Sequence, residues 1–337
     1  MVTLGEENQR GHLDILVRNG AFKFSDTFFT YTSGQIGPYF VNSEKVMNDG
    51  VDFTRATTDM SHLVRKVMGD KDYVIAGGER RDFLFSLPVA PMLVKPPYTI
   101  YKNGEVMGPD IKDRLVITIS DLNNEGSSIE KWVQTIRKNG GRIEDAFFYV
   151  DRLEDGGEVI QELGLNSHCL VPLDENAWKY LREKGEASEQ AYSNLKERMK
   201  DKDAWAKRML RGEEGIERLA SLFKVESLKE REKARKVLTQ GYPYLMSELM
   251  RRLKEKGFDF YSQKRIYSEV NEAIDSMEKD QKWFKTNTKY LAAQYPRSRY
   301  VAIQSGKVAD HDQNEDQLVA RANKTLKRFY LLGDLSD

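Results

Sequence analysis

Residues Leu115 to Trp132, LVITISDLNNEGSSIEKW, carry the densest set of groups able to do chemistry. A run of aliphatic and β-branched residues ends on an acid, Asp121, then a polar turn with Gly126, then a helical pattern opening at Ser127-Ser128. This order suits a sugar phosphate. Backbone N–H groups at a helix N-terminus bind a phosphate without a cationic side chain. The two serines add hydroxyl donors, and a carboxylate at the strand end accepts from ribose hydroxyls. The same pattern also describes an ordinary strand-to-helix turn capped by serine.

The elements needed to hold such a turn are readable. Tyr73 to Ala76, Leu115 to Ile119, Ala146 to Val150 and Cys169 to Val171 are short apolar runs, as expected of strands buried on both faces. Helical spacing separates them over Thr54 to Met68, over Ser127 to Asn139 before Gly140-Gly141, and over Val159 to Leu163. Strands alternating with helices predict an α/β fold with a parallel sheet and crossover helices. Past Trp178 the chain turns dense in Glu, Lys and Arg. Amphipathic helices are expected at Ala187 to Lys200, Gly215 to Phe223, Ser227 to Leu238, Tyr244 to Lys256 and Ser262 to Lys279. Leu181 to Asp203 is the expected linker region, itself helical. In the tail, Trp283 to Gln294 reads as a helix stopped by Tyr295-Pro296. Tyr300 to Gln304 and Lys307 to Asp310 read as a hairpin about Ser305-Gly306, and Glu315 to Phe329 as a last helix. Three domains are expected: 1–176, a helical region 177–280, and a small α+β module 281–337.

Composition narrows the function. Lys+Arg and Asp+Glu balance at 53 each, which argues against a generally basic nucleic-acid binder. The one cysteine, Cys169, sits between apolar neighbours, allows no disulfide within the chain, and fits a reducing cytoplasm as a small buried hydrophobe. The start, MVTLGEENQRGHLDIL, lacks the basic and apolar regions of a secretory signal, and no apolar run has membrane-spanning length. A cytoplasmic protein with no membrane partner is expected.

The order strand, acid, small loop, Gly, Ser resembles the phosphoribosyl pyrophosphate (PRPP) motif of type I phosphoribosyltransferases, and the chain resembles orotate phosphoribosyltransferase at several further places. These are Ala21-Phe22-Lys23-Phe24, then Ser33-Gly34-Gln35-Ile36-Gly37-Pro38-Tyr39-Phe40-Val41-Asn42; Gly77-Gly78-Glu79; and Val150-Asp151-Arg152, Gly156-Gly157 and Leu163 to His168. They fall in the family's order across residues 12 to 175. The resemblance implies a parallel-sheet phosphoribosyltransferase fold and transfer of ribose 5-phosphate from PRPP to a base, with release of pyrophosphate, as in pyrimidine biosynthesis. Mg²⁺ would accompany PRPP, and a homodimer is expected. Carried over, Asn123, Asn124, Glu125, Gly126, Ser127 and Ser128 would cradle the 5-phosphate and Asp121 would hold the ribose. Gly78, Glu79, Arg80 and Arg81 would face the pyrophosphate, where guanidinium groups offer two-pronged donors. Lys102 matches a family lysine, Arg152 the base-recognising arginine, and Tyr39 and Phe40 the segment packing on the base. Each has a plain alternative: a solvated arginine pair, a core aromatic pair, an Asp151-Arg152 ion pair, and a core histidine at His168.

The pattern is broken at four places. Ser120 stands where the family has the first of two adjacent acids. Glu125 puts a carboxylate inside the phosphate loop. Thr32 replaces a lysine. A short Lys102 to Lys112 connection stands where the orotate enzymes carry a long closing loop, a cationic clamp and water-excluding lid. Three readings therefore compete: a divergent transferase acting on orotate or another base, a regulatory module that binds PRPP or a nucleotide, and a scaffold keeping only the fold. The helical region shows no metal-ligand spacing and no nucleophile-base pair, and is expected to pack on itself or on a protein partner. The tail resembles a small prokaryotic domain of unknown function, which implies no activity.

Overall fold

A computed structural model describes residues 1–124, 126–258, 268–326 and 330–336. Contacts divide the chain into two compact units: Met1–Phe24 with Tyr39–Tyr192, and Ser25–Pro38 with Ser193–Asp337. The helical stretch and the tail, read from the sequence as separate domains, thus share one unit, and the first unit runs past 176 to Tyr192. The reason lies in the core of the second unit, where residues of both stretches, such as Leu219, Leu249, Leu318 and Tyr330, bury one another.

The first unit opens with α1 (Glu6–Arg18), followed by the strands of a hairpin, β1 (Phe22–Thr30) and β2 (Ile36–Val41), whose tip belongs to the second unit. Next come α2 (Gly50–Met68), β3 (Val74–Gly78), α3 (Phe83–Met92), β4 (Pro97–Ile100), β5 (Val106–Met107), β6 (Leu115–Asn123), α4 (Ser127–Lys138), β7 (Arg142–Asp151), α5 (Gly156–Glu162), β8 (Asn166–Pro172) and α6 (Glu175–Glu183). The sheet order is β5-β4-β3-β6-β7-β8. Every pairing is parallel except that of β5 with β4. The expected parallel α/β fold is therefore present. Alternation along the strands divides two apolar layers: Val74, Ala76, Val116 and Phe148 join Ile129, Trp132, Val133 and Ile136 of α4, while α1, α2 and α3 pack on the sheet strands β3, β6, β7 and β8. The one-sided stripe on α4 is the feature that made this helix legible.

The second unit holds most of α7 (Glu189–Lys200), then α8 (Lys202–Arg211), α9 (Glu213–Lys224), α10 (Leu228–Lys236), α11 (Met246–Glu255), α12 (Ser268–Gln294), β9 (Tyr300–Ile303), β10 (Val308–Asp312), α13 (Glu315–Thr325) and β11 (Leu331–Asp334). The three strands form an antiparallel sheet in the order β10-β9-β11. Two expected helices, ending at Lys279 and beginning at Trp283, are one helix, because the polar stretch between them carries no breaker. Residues 262–267 and 327–329 of the expected helices lie outside the described residues. Asp201, Ser227 and Asn314 cap α8, α10 and α13 by accepting from backbone N–H groups. The Asp280 carboxylate accepts from the N–H groups of Ser305 and Gly306 at 3.0 and 2.7 Å, which fixes the hairpin turn. Among the described residues no helix is long and apolar enough to cross a membrane.

Candidate functional site

Three strands of the first unit deliver the expected site residues to their carboxyl ends. β3 ends at Gly77-Gly78 and passes directly to Glu79, Arg80 and Arg81. Both glycines are imposed by close packing: a Cβ at Gly77 would lie 2.1 Å from Ser86 Oγ, and one at Gly78 would lie 2.0 Å from the Trp132 indole. The Glu79–Arg80 peptide bond is cis. Glu79 turns back to accept from the Lys102 backbone N–H at 3.0 Å. Lys102 thereby joins this loop through its main chain, and its side chain is exposed. Arg80 is exposed as well.

β6 carries Asp121 deeper than a residue at the strand end would lie, because pairing with β7 continues through Leu122 and Asn123. Asp121 is buried, accepts from Ser43 Oγ at 2.6 Å, and lies 3.7 Å from the Arg81 guanidinium. Burial pushes its carboxyl above the ordinary range, opposed mainly by the Arg81 charge. Arg81 also reaches Glu44 at 3.8 Å. The structure thus brings Asp121 and Arg81 together.

The turn after β6 is built on its neighbours. Gly126 has φ 74°, a left-handed conformation suited to glycine, and a Cβ there would meet Val159 at 2.6 Å. The Asn124 carbonyl accepts from the Gly156 N–H at 2.8 Å. The Asn123 amide donates to both Asp151 oxygens at 3.2 and 3.3 Å, so its donor is directed at β7 and away from the turn. Burial raises the Asp151 carboxyl, and the Leu153 N–H, Asn123 and Ser167 hold it back. Ser128 is exposed at the start of α4, and Ser127 opens that helix. Glu125 lies outside the described residues.

β7 delivers Arg152. Its Nε donates to Tyr39 Oη at 2.7 Å, its guanidinium lies 4.6 Å from the Tyr39 ring centre, and it pairs with Glu154 at 3.0 Å. Tyr39 Oη donates to Glu154 at 2.8 Å, and its ring packs 4.7 Å from Trp178. Tyr39 is only 1% exposed, so it is a core residue tied to Arg152, while Phe40 is half-buried. The Arg152 partner in this trio is Glu154, two residues on, while Asp151 is occupied by Asn123 and Ser167. His168 is a core histidine, 2.9 Å from Asp145 and with its ring tilted 32° against that of Phe147.

Two departures take structural form. Residues 101–107 make a tight turn, with Tyr101 N–H donating to Glu105 O at 2.9 Å before β5 pairs back on β4, so no long closing loop stands there. The Ser33-Gly34 dipeptide lies in the second unit, where Gly34 has φ 90° and the Thr32 carbonyl accepts from Lys236 Nζ at 3.2 Å. Ser43, Glu154 and Asp82 were missed in the sequence. Asp82 follows Arg80-Arg81, is buried, and accepts from Trp132 Nε1 at 3.0 Å. The neighbouring arginines drew attention to cations, and a partner fifty positions away leaves no local signal.

No protein-family model matches the chain. Curated relatives do. Orotate phosphoribosyltransferase of Thermoplasma acidophilum is 27% identical over 173 residues, 48% of this chain and 92% of that protein. The enzyme of the same name from Sulfolobus acidocaldarius is 30% identical over 144 residues, 41% of this chain and 71% of that protein. A solved orotate phosphoribosyltransferase from Aeropyrum pernix aligns at TM-score 0.44 and 22% identity, over 52% of this chain and 99% of that one. The sequence relatives, and not that superposition, carry the assignment. With 30% identity across 71% of such a relative, the chain belongs to the orotate phosphoribosyltransferase family.

Proposed function

We propose that the first unit binds PRPP and transfers its ribose 5-phosphate to a nitrogen of a base, releasing pyrophosphate. The observation that carries this reading is the convergence of Arg81 on Asp121, 3.7 Å apart at the ends of β3 and β6. It sets a guanidinium for a diphosphate beside a carboxylate for ribose hydroxyls. The turn from Asn124 to Ser128 would hold the 5-phosphate with N–H groups at the start of α4. Gly78, Glu79 and Arg80 would line the pyrophosphate side, with Lys102 held near by the Glu79 contact. The transition state for such a transfer is cation-like at the sugar, so positioning and charge neutralisation supply most of the acceleration. Among the described residues no group of three or more His, Cys, Asp or Glu gathers around a common point. Mg²⁺ would arrive on the diphosphate, as an ion commonly held by substrate phosphates and few carboxylates.

Arg152 would recognise the base. Because Glu154 already occupies its guanidinium, a carboxylate-bearing base such as orotate would share Arg152 with Glu154. A neutral base meets no such competition, so the acceptor is open between orotate and another base. A second reading, a regulatory module that binds PRPP without transfer, is favoured by the short 101–107 turn, which is not long enough to close over a site and exclude water. Pyrophosphate release measured with PRPP, Mg²⁺ and a panel of orotate and common bases separates the two. Release with one base establishes transfer and names the acceptor. Binding with no release in any arm supports the regulatory module.

A further inference from the structure

Asp82 belongs to none of the roles above, yet it touches both loops of the site. Its Oδ2 accepts from the Gly78 N–H at 3.3 Å, at the end of β3, and from Trp132 Nε1 at 3.0 Å, on the helix that follows the phosphate turn. Its Oδ1 accepts from the Asp121 N–H at 3.3 Å, on β6. One carboxylate therefore joins three elements that are separated in sequence. The contact with Gly78 is tightened by the indole, whose ring leaves no room for a Cβ there. Asp82 is 8% exposed, and the two oxygens of its carboxyl group together meet all three N–H groups.

We propose that Asp82 is a positioning residue for PRPP, acting from the turn after β3 on both loops of the site. The inference rests on the PRPP reading. Through Gly78 it sets the backbone of the pyrophosphate-side loop, through Asp121 the depth of the ribose-binding carboxylate, and through Trp132 the start of the helix that would hold the 5-phosphate. Burial first and the neighbouring Asp121 second push the Asp82 carboxyl up to about 8, and the Asp121 and Gly78 N–H groups and the Ser120 side chain oppose that rise only in part. Asn at this position keeps the shape but must turn an NH₂ group toward at least one of the three N–H donors.

The test is calorimetric titration of PRPP with Mg²⁺ into the full chain, the Asp82→Asn variant and the Trp132→Phe variant, with the Trp132 indole N–H followed by NMR. The wild-type indole signal, identified by its loss in Trp132→Phe, is expected to shift on PRPP binding. Asp82→Asn is expected to move that signal before ligand is added and to weaken PRPP at least tenfold. Trp132→Phe, which removes one donor, is expected to weaken it several-fold, and carries the test if Asp82→Asn does not fold. Unchanged affinity in a folded Asp82→Asn protein, or an indole signal indifferent to PRPP, overturns the positioning role while leaving the PRPP reading intact. No PRPP binding by the wild type overturns both, and is distinguished because it precedes any substitution.

Discussion

Replacing Glu154 with Gln tests how Arg152 is held. The pair is 3.0 Å apart, with side chains 5% and 16% exposed, so water screens it poorly. Glu154 also accepts from Tyr39 Oη, whose ring lies under the same guanidinium. Gln keeps the shape and one acceptor oxygen for Arg152 and Tyr39, and replaces the charge and the other oxygen with a neutral NH₂ group. Breaking a buried pair outright costs roughly 3–5 kcal/mol. Retaining the hydrogen bond while losing the charge brings the expected cost to about 1–3 kcal/mol, the range of hydrogen bonds to charged groups. Urea unfolding followed by fluorescence of Trp178, 4.7 Å from Tyr39, reads this part of the first unit. A midpoint shift worth less than about 0.5 kcal/mol, the usual size of a surface substitution, would refute the view that Glu154 neutralises Arg152. The same variant is expected to tighten binding of an acidic base and leave PRPP affinity unchanged.

Further outcomes follow from other contacts. Gly78→Ala places a Cβ 2.0 Å from the Trp132 indole; overpacking of this kind costs about 1–3 kcal/mol, and a lowered melting temperature with loss of PRPP binding is expected. Asp52 and Asp59 have carboxyls lowered first by hydrogen bonds from Arg18 and His12. Their contribution is present above the unfolded value near 4 and lost as pH falls through the lower folded values, so Asp59→Asn should flatten the acid limb of a stability–pH curve. Cys169 is buried and its thiol is pushed well up by burial, so a thiol reagent should label it only at the rate of unfolding; rapid labelling of native protein would contradict its placement.

Much of the first unit was legible because its signals are local. Ile129, Trp132, Val133 and Ile136 announce the buried stripe of α4, and Gly140-Gly141 its end. Strand lengths were less so. β6 and β7 run on through polar residues to Asn123 and Asp151 because parallel partners satisfy their backbones, which no single strand reveals. The α3 helix was missed because Pro88 and Pro91 lie inside it and apolar residues surround it on all sides. In the site, the order of motifs pointed to Asp121, the arginine pair and Arg152. The groups that orient them, Ser43, Asp82 and Glu154, were not marked, and for Ser43 and Asp82 the reason is plain. Each meets its partner across 78 and 39 positions respectively, a proximity made only by folding.

The most direct measurement is calorimetric titration of PRPP into the folded full chain with Mg²⁺ present. Saturable binding that weakens at least tenfold when Arg81, the cation beside Asp121, is replaced by Ala is the predicted result. An absence of binding in protein shown to be folded, or binding indifferent to Arg81→Ala, would contradict the placement of the site at the ends of β3 and β6.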